Sequence, residues 1–150
     1  MNLSLDDLNL NLKGIRELRV DARVEELDAV LAFIDFGLES LNCPAKIQAK
    51  LDLAVEEVFV NIASYAYKDG MGSALIKFAG LEDASGAVIT FIDEGIEYNP
   101  LAKPDPDVTL PAEERDIGGL GIFLIKKIAD EVIYDYVGNK NILKIVKRFN

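Results

Sequence analysis

The stretch from Leu51 to Tyr67, Leu-Asp-Leu-Ala-Val-Glu-Glu-Val-Phe-Val-Asn-Ile-Ala-Ser-Tyr-Ala-Tyr, constrains this chain more than any other. Ile47, Leu51, Val55, Val58 and Ile62 recur at spacings of three and four, the period of one helix face. Leu53, Phe59 and Val60 extend the apolar surface sideways, so the spacing predicts a long helix with little polar face, largely buried. Glu57 and Asn61 interrupt it. Four residues apart, they are neighbours on one face, and a carboxylate and an amide are costly to bury without partners. Two readings account for the pair. One is a solvated polar edge, which for a helix taken alone is the commoner outcome. The other is a Mg²⁺ ion held by the Asn oxygen, with the Glu beside a reacting hydroxyl. Two later stretches favour the second.

At 150 residues the chain is long enough for one domain with a full core. No repeat, low-complexity tract or linker divides residues 1–150, which read as a single domain. The net charge of −10 argues against binding nucleic acid or an anionic membrane through bulk charge, though not against docking on a basic partner. The single cysteine, Cys43, permits no internal disulfide and reads as a small buried thiol. There is no histidine, which removes histidine bases, most zinc sites and any phosphoacceptor histidine on this chain. Met1 to Leu12 has no basic leader and no stretch has membrane-spanning length, so a cytoplasmic protein is expected.

In chain order, Met1 to Asp7 reads as a frayed end or edge strand. Leu8 to Val20 reads as extended chain broken near Lys13-Gly14, with Asp21 as a helix N-cap. From Val24, the set Leu27, Val30, Leu31, Ile34 and Leu38 has helical spacing and ends near Leu41-Asn42-Cys43. Pro44 suits the first turn of the central helix, which runs to about Tyr67. Ala74 to Leu81 and Ala87 to Ile92 read as a hairpin. Tyr98 to Asp116, with Pro100, Pro104, Pro106 and Pro111, has the length and composition of a functional loop such as a lid. Ile122 to Asp130 reads as a helix. Glu131 to Val137 and Ile142 to Phe149 read as strands around a Gly138-Asn139-Lys140-Asn141 turn. This order predicts an α+β fold: two layers, a mostly antiparallel mixed sheet with helices on one face.

Asp93-Glu94-Gly95 directly follows the strand ending at Ile92. An Asp there can accept from an exocyclic amine, and a Gly two residues on lets backbone approach a flat ring; an ordinary strand-ending turn is the plainer alternative. Gly118-Gly119-Leu120-Gly121 leads into the apolar helix, offering free N–H groups and a helix-dipole terminus to phosphate, or else a hinge. It lacks the Gly-x4-Gly-Lys-Ser/Thr of a P-loop, and no parallel strand-turn-helix unit makes it a dinucleotide fingerprint.

Taken in order, Glu57-x3-Asn61, Asp93-x-Gly95 and Gly119-x-Gly121 resemble the N box and the two glycine boxes of the GHKL ATPases. The resemblance is closer to the small anti-sigma-factor serine kinases of the RsbW and SpoIIAB type. Asn61-Ile-Ala-Ser-Tyr-Ala-Tyr67 resembles their Asn-Ala-x-x-His-Ala-Tyr. Asp93 to Pro100 resembles Asp-x-Gly-x-x-Phe-Asp-Pro, and Gly118 to Glu131 resembles Gly-x-Gly-Leu-Gly-Ile-x-Leu-Ile-x-x-x-x-Asp-Glu. The match covers nearly the whole chain. Any one box is weak; the ordered triplet is specific.

The resemblance implies a Bergerat ATP-binding fold and a cytoplasmic, Mg²⁺-ATP-dependent serine/threonine protein kinase. Such a kinase would also bind a sigma factor and phosphorylate a small STAS-type anti-sigma antagonist. It further implies a homodimer that makes no direct contact with nucleic acid or membrane. Glu57 would be the general base and Asn61 the Mg²⁺ ligand. Asp93 would read the adenine amine, Gly95 would line the adenine pocket, and Tyr65 would stand where relatives often carry His. Gly118, Gly119, Leu120, Gly121 and Ile122 would form the phosphate-binding helix entry, with Arg115 the nearest cation. Glu97, Tyr98 and Asn99 replace the family's Gly, Phe and Asp, and Asn141 stands where a Thr near the adenine is common. Two rival functions remain at this point: a non-catalytic ATP/ADP-binding switch, and a detached histidine-kinase ATPase module.

Overall fold

The computed structural model describes residues 10–102 and 120–150. The central helix forms as its periodicity predicts: α2 spans Ala45–Asn61 and continues directly into a wide π-helical turn, Ile62–Ala66. Leu51, Ala54, Val55, Val58 and Phe59 are its buried stripe. Leu53, expected to add to the buried surface, is 56% exposed, because it lies on the helix face turned from the core. Glu57 and Asn61 are partly rather than fully buried, on the border between the two faces.

Before it, β1 (Leu12–Asp21) leads through a 3₁₀ turn at Val24–Glu26 into α1 (Leu27–Ser40). Asp21 is therefore the last residue of a strand and not a helix cap; Arg23 occupies the N-cap position of the 3₁₀ turn without a side-chain bond. The break expected near Lys13-Gly14 is a register shift between Lys13 and Arg16 against β2. After α2 come β2 (Ser73–Leu81), β3 (Gly86–Asp93), α3 (Leu120–Ile128), β4 (Glu131–Val137) and β5 (Lys140–Arg148).

The five strands lie in the order β1-β2-β3-β5-β4, and every pairing between them is antiparallel. Alternation along each strand puts Ala74, Ile76 and Phe78, then Ala87, Ile89 and Phe91, then Leu143 and Ile145 on one face. Onto that face pack Val30, Ile34 and Leu38 of α1, the buried stripe of α2, and Ile122 and Ile125 of α3. This is the expected two-layer α+β arrangement. Each such large side chain contributes about 1.5–3 kcal/mol by leaving water. A smaller cluster of Leu81, Val88 and Val146, covered by Leu10 and Leu12, lies apart from this core.

The β4–β5 connection is shorter than the four residues expected. Gly138 and Asn139 both have positive φ (58° and 62°), which suits a two-residue hairpin turn whose twist matches the strands. Lys140 consequently pairs with Val137, and Asn141 moves out of the turn and into β5, opposite Asp93 of β3. No described helix is long and apolar enough to cross a membrane.

Candidate functional site

The π-helical end of α2 meets the turn that follows β3. The Ile96 N–H donates to the Ala66 carbonyl at 2.9 Å. Gly95 is the residue that permits this contact, since a Cβ there would overlap the Ala66 carbonyl oxygen. The sequence assigned Gly95 to the wall of a ligand pocket; its close neighbour is instead protein backbone. Tyr67 fastens the same junction: its hydroxyl donates to the Ser73 carbonyl at 2.6 Å and accepts from the Glu94 N–H at 2.9 Å. Burial, ahead of its other influences, pushes the Tyr67 phenol above its ordinary pKa, so it stays a donor at neutral pH. Wide helical turns of this kind recur at functional sites.

These contacts frame a cavity of about 90 Å³ between the end of α2, the ends of β3 and β5, and the first turn of α3. Its walls are mostly apolar: Val58, Ile62, Phe91, Ile96, Ile122 and Leu143. Asn61, Asp93 and Asn141 bring polar groups to it, and Tyr65, Tyr98 and Tyr134 bring aromatic rings. Apolar walls with a few convergent polar groups are the usual make-up of a small-molecule site.

Asp93 is 6% exposed. Its Oδ1 accepts from the Gly95 N–H at 2.9 Å and from Asn141 Nδ2 at 3.0 Å, and Oδ2 takes neither bond. Asn141, 7% exposed, donates also to the Ile96 carbonyl at 2.8 Å and, at 3.4 Å, to that of Gly95. Its Oδ1 accepts from the Tyr98 N–H at 3.0 Å and from the Tyr134 hydroxyl at 2.5 Å. Burial raises the Tyr134 pKa, which keeps that hydroxyl protonated and donating.

Of the residues singled out in the sequence, Asn61, Tyr65, Asp93 and Ile122 line the cavity. Tyr65 does so from the rim, 70% exposed. Glu57 is not in the wall; it lies one helical turn before Asn61, partly buried, and engages in an interaction of its own. Leu120 and Gly121 form the start of α3, two residues earlier than the sequence suggested. Gly118, Gly119, Arg115 and the body of the expected lid lie outside the described residues. Tyr134 was missed as a site residue, and Tyr98 and Asn141 were noted only as departures from the family pattern, Asn141 at a position near the adenine. The register of β3 on β5 is the signal that would have paired Asn141 with Asp93.

Among the described residues no group of three His, Cys, Asp or Glu side chains comes together to hold a metal ion. A divalent cation here would draw most of its ligands from a bound phosphate and from water, the usual habit of Mg²⁺.

The sequence model of the histidine kinase-like ATPase domain matches residues 20–147. Serine-protein kinase RsbW of Bacillus cereus (strain AH187) is 30% identical over 84 residues, 55% of this chain and 52% of the relative. Serine-protein kinase RsbW of Bacillus mycoides (strain KBAB4) is 30% identical over 86 residues, with the same shares. The chain thus spans about half the length of these curated relatives. Among solved structures, Acinetobacter baumannii histidine kinase AdeS aligns at a TM-score of 0.44 and 17% identity, over 97% of this chain and 71% of that one.

Proposed function

The chain belongs to the histidine kinase-like ATPase domain family, and from that premise we propose that it is a Mg²⁺-ATP-dependent serine/threonine protein kinase and anti-sigma factor. In this reading it is a cytoplasmic homodimer that binds a sigma factor and phosphorylates a small STAS-type antagonist. The observation that carries the reading is the cavity under Asp93, with Asn61 in its wall and Glu57 one turn before Asn61.

The base of ATP enters the apolar slot, with its exocyclic amine donating to Asp93. Asn61 supplies an amide oxygen towards the metal. The donor set fits Mg²⁺, since one neutral oxygen ligand leaves the remaining positions to phosphate and water. When bound, the ion neutralises phosphate charge. By the family resemblance, backbone N–H groups from Gly118 to Ile122 would hold the phosphates, and Arg115 is the nearest cation to that stretch in the sequence. Phosphoryl transfer asks for positioning and charge neutralisation more than for covalent chemistry. Glu57 accepts the proton of the incoming Ser or Thr hydroxyl as its oxygen bonds to the γ-phosphorus and the bond to ADP breaks.

The test is label transfer from ATP to candidate antagonists encoded beside this chain's gene, with wild type and Glu57→Gln side by side. Glu57→Gln keeps shape but is a far weaker base, so transfer falls by roughly 10²–10⁴-fold while Mg²⁺-ATP binding is retained. Equal transfer by the two proteins removes Glu57 as the base. No transfer by wild type to any candidate favours the nucleotide switch, and label on a partner's histidine favours the detached histidine-kinase module.

A further inference from the structure

We infer that Asn141 is a positioning residue that fixes the Asp93 carboxylate and thereby sets the cavity's preference for a purine with an amine rather than a carbonyl at C6; this rests on the reading that the cavity takes the base of a nucleotide. Asn141 and Asp93 are direct partners across β5 and β3, and facing side chains at such a pair lie within reach of each other. The Asn141 amide is fully used. Its Nδ2 hydrogens go to Asp93 Oδ1 at 3.0 Å and the Ile96 carbonyl at 2.8 Å. Its Oδ1 takes the Tyr98 N–H and the Tyr134 hydroxyl.

Two donors on one side and acceptors on the other allow a single amide orientation. Turning the amide over would set NH₂ against an N–H and an oxygen against a carboxylate. The orientation is transmitted to Asp93. With the Gly95 N–H and Asn141 Nδ2 both on Oδ1, the acceptor remaining for a ligand is Oδ2. A fixed carboxylate oxygen facing C6 of the base selects an N–H donor at that position, which adenine presents with its 6-amino group and guanine, with a carbonyl at C6, does not. Any replacement that turns Asn141 Nδ2 into an acceptor, or frees the amide to rotate, removes the selection.

Asn141→Asp makes the sharper test. It keeps size and leaves an acceptor for Tyr98 and Tyr134, but sets a second carboxyl against Asp93. Two facing carboxyls share a proton, and the shared proton supplies a donor to the C6 carbonyl of guanine. Calorimetry with Mg²⁺-ATP and Mg²⁺-GTP from pH 5.5 to 8 gives the readout. For wild type the ATP preference is large and flat with pH. For Asn141→Asp it falls by about 10- to 100-fold, the weight of one hydrogen bond to a charged group, and falls further as pH is lowered. A merely structural role would weaken both nucleotides alike and leave the ratio flat.

Tyr134→Phe is the second variant. It removes only the hydroxyl donor to Asn141 Oδ1 and loosens the amide, so the preference drops by about 2- to 10-fold without a new pH dependence. A folded Asn141→Asp protein with the wild-type ratio, flat in pH, overturns the inference. Should Asn141→Asp not fold, an unchanged ratio in Tyr134→Phe overturns it equally. Wild type that binds ATP and GTP alike refutes the role of Asn141 and leaves the nucleotide reading standing; wild type that binds neither refutes both.

Discussion

Replacing Asp52 by Asn should abolish most of the protein's pH-dependent stability near neutrality. Asp52 lies on α2, facing Asp35 and Glu39 of α1, and Gln48 Nε2 reaches across to Asp35 Oδ1 at 3.1 Å. Asp52 Oδ1 is shut from solvent with no hydrogen-bond partner among the described residues. Burial first, then the facing carboxyl of Asp35 and the charge of Glu39, push the Asp52 pKa from 3.8 up to about 7. The folded state therefore holds a proton that the unfolded chain releases. The stability this contributes is fully present below the unfolded value of 3.8 and is lost as pH rises towards the folded value of about 7. The chain contains no histidine, so between pH 5.5 and 7.5 no other side chain with an ordinary pKa titrates. Over that window the unscreened loss would be about 2 kcal/mol, and solvent screening of a half-buried carboxyl reduces it to about 1 kcal/mol. For a chain of this size that lowers Tm by about 2–4 °C. An Asn amide donates where the protonated carboxyl does and carries no charge. Asp52→Asn should then melt at a nearly constant temperature across the window and be about 2 kcal/mol more stable than wild type at pH 7.5, because about half of the loss already falls below pH 5.5. Thermal melts followed by circular dichroism at pH 5.5, 6.5 and 7.5 supply the comparison. A wild-type Tm that is flat or rises with pH, or an Asp52→Asn protein with the wild-type slope, refutes the reasoning.

Two further outcomes follow from the cavity and its frame. Asn61→Ala should weaken ATP binding in the presence of Mg²⁺ by about 10- to 100-fold, on the scale of a lost charge-assisted contact, and leave Mg²⁺-free binding nearly unchanged; calorimetry with and without the metal reads the difference, and equal losses in both conditions would assign Asn61 to packing instead. Gly95→Ala sets a methyl against the Ala66 carbonyl oxygen, where the neighbour is backbone and cannot swing aside. It should cost about 1–3 kcal/mol or more, seen as a lowered Tm, and an unshifted melt would show that the end of α2 can retreat freely from the β3 turn.

The parts of this molecule that could be read from sequence are those whose signal is local. Ile47, Leu51, Val55 and Val58 give a helix because their spacing matches 3.6 residues per turn, and that spacing survives in α2. Asp93-x-Gly95 can be placed at a strand end because the apolar run before it stops there, and β3 does end at Asp93. Periodicity says less about which flank of a helix the core covers. Leu53 adds apolar surface in the sequence and yet points outward, because α1 and the sheet together cover only one side of α2. Gly95 shows a second limit. A glycine in a motif announces close approach but not what approaches, and here the neighbour is the Ala66 carbonyl.

Asn141 marks where local reading stops. Its bond to Asp93 joins residues 48 positions apart, and no pattern within either segment encodes it. What decides it is the length of one turn. Gly138 and Asn139 both adopt positive φ and close the hairpin in two residues, which moves Asn141 one register step into β5 and against Asp93. Beside the family's usual Thr, Asn141 looks like a departure that weakens a nucleotide site. In the folded chain it has four well-placed hydrogen-bond partners, on the Asp93 side chain, the Ile96 and Tyr98 backbone and the Tyr134 hydroxyl. The consequence of a substituted motif residue is thus set by what the sheet places opposite it: an amide at this position can hold a carboxylate in one orientation, which a hydroxyl with its single donor cannot do while also accepting from two neighbours and bonding Ile96.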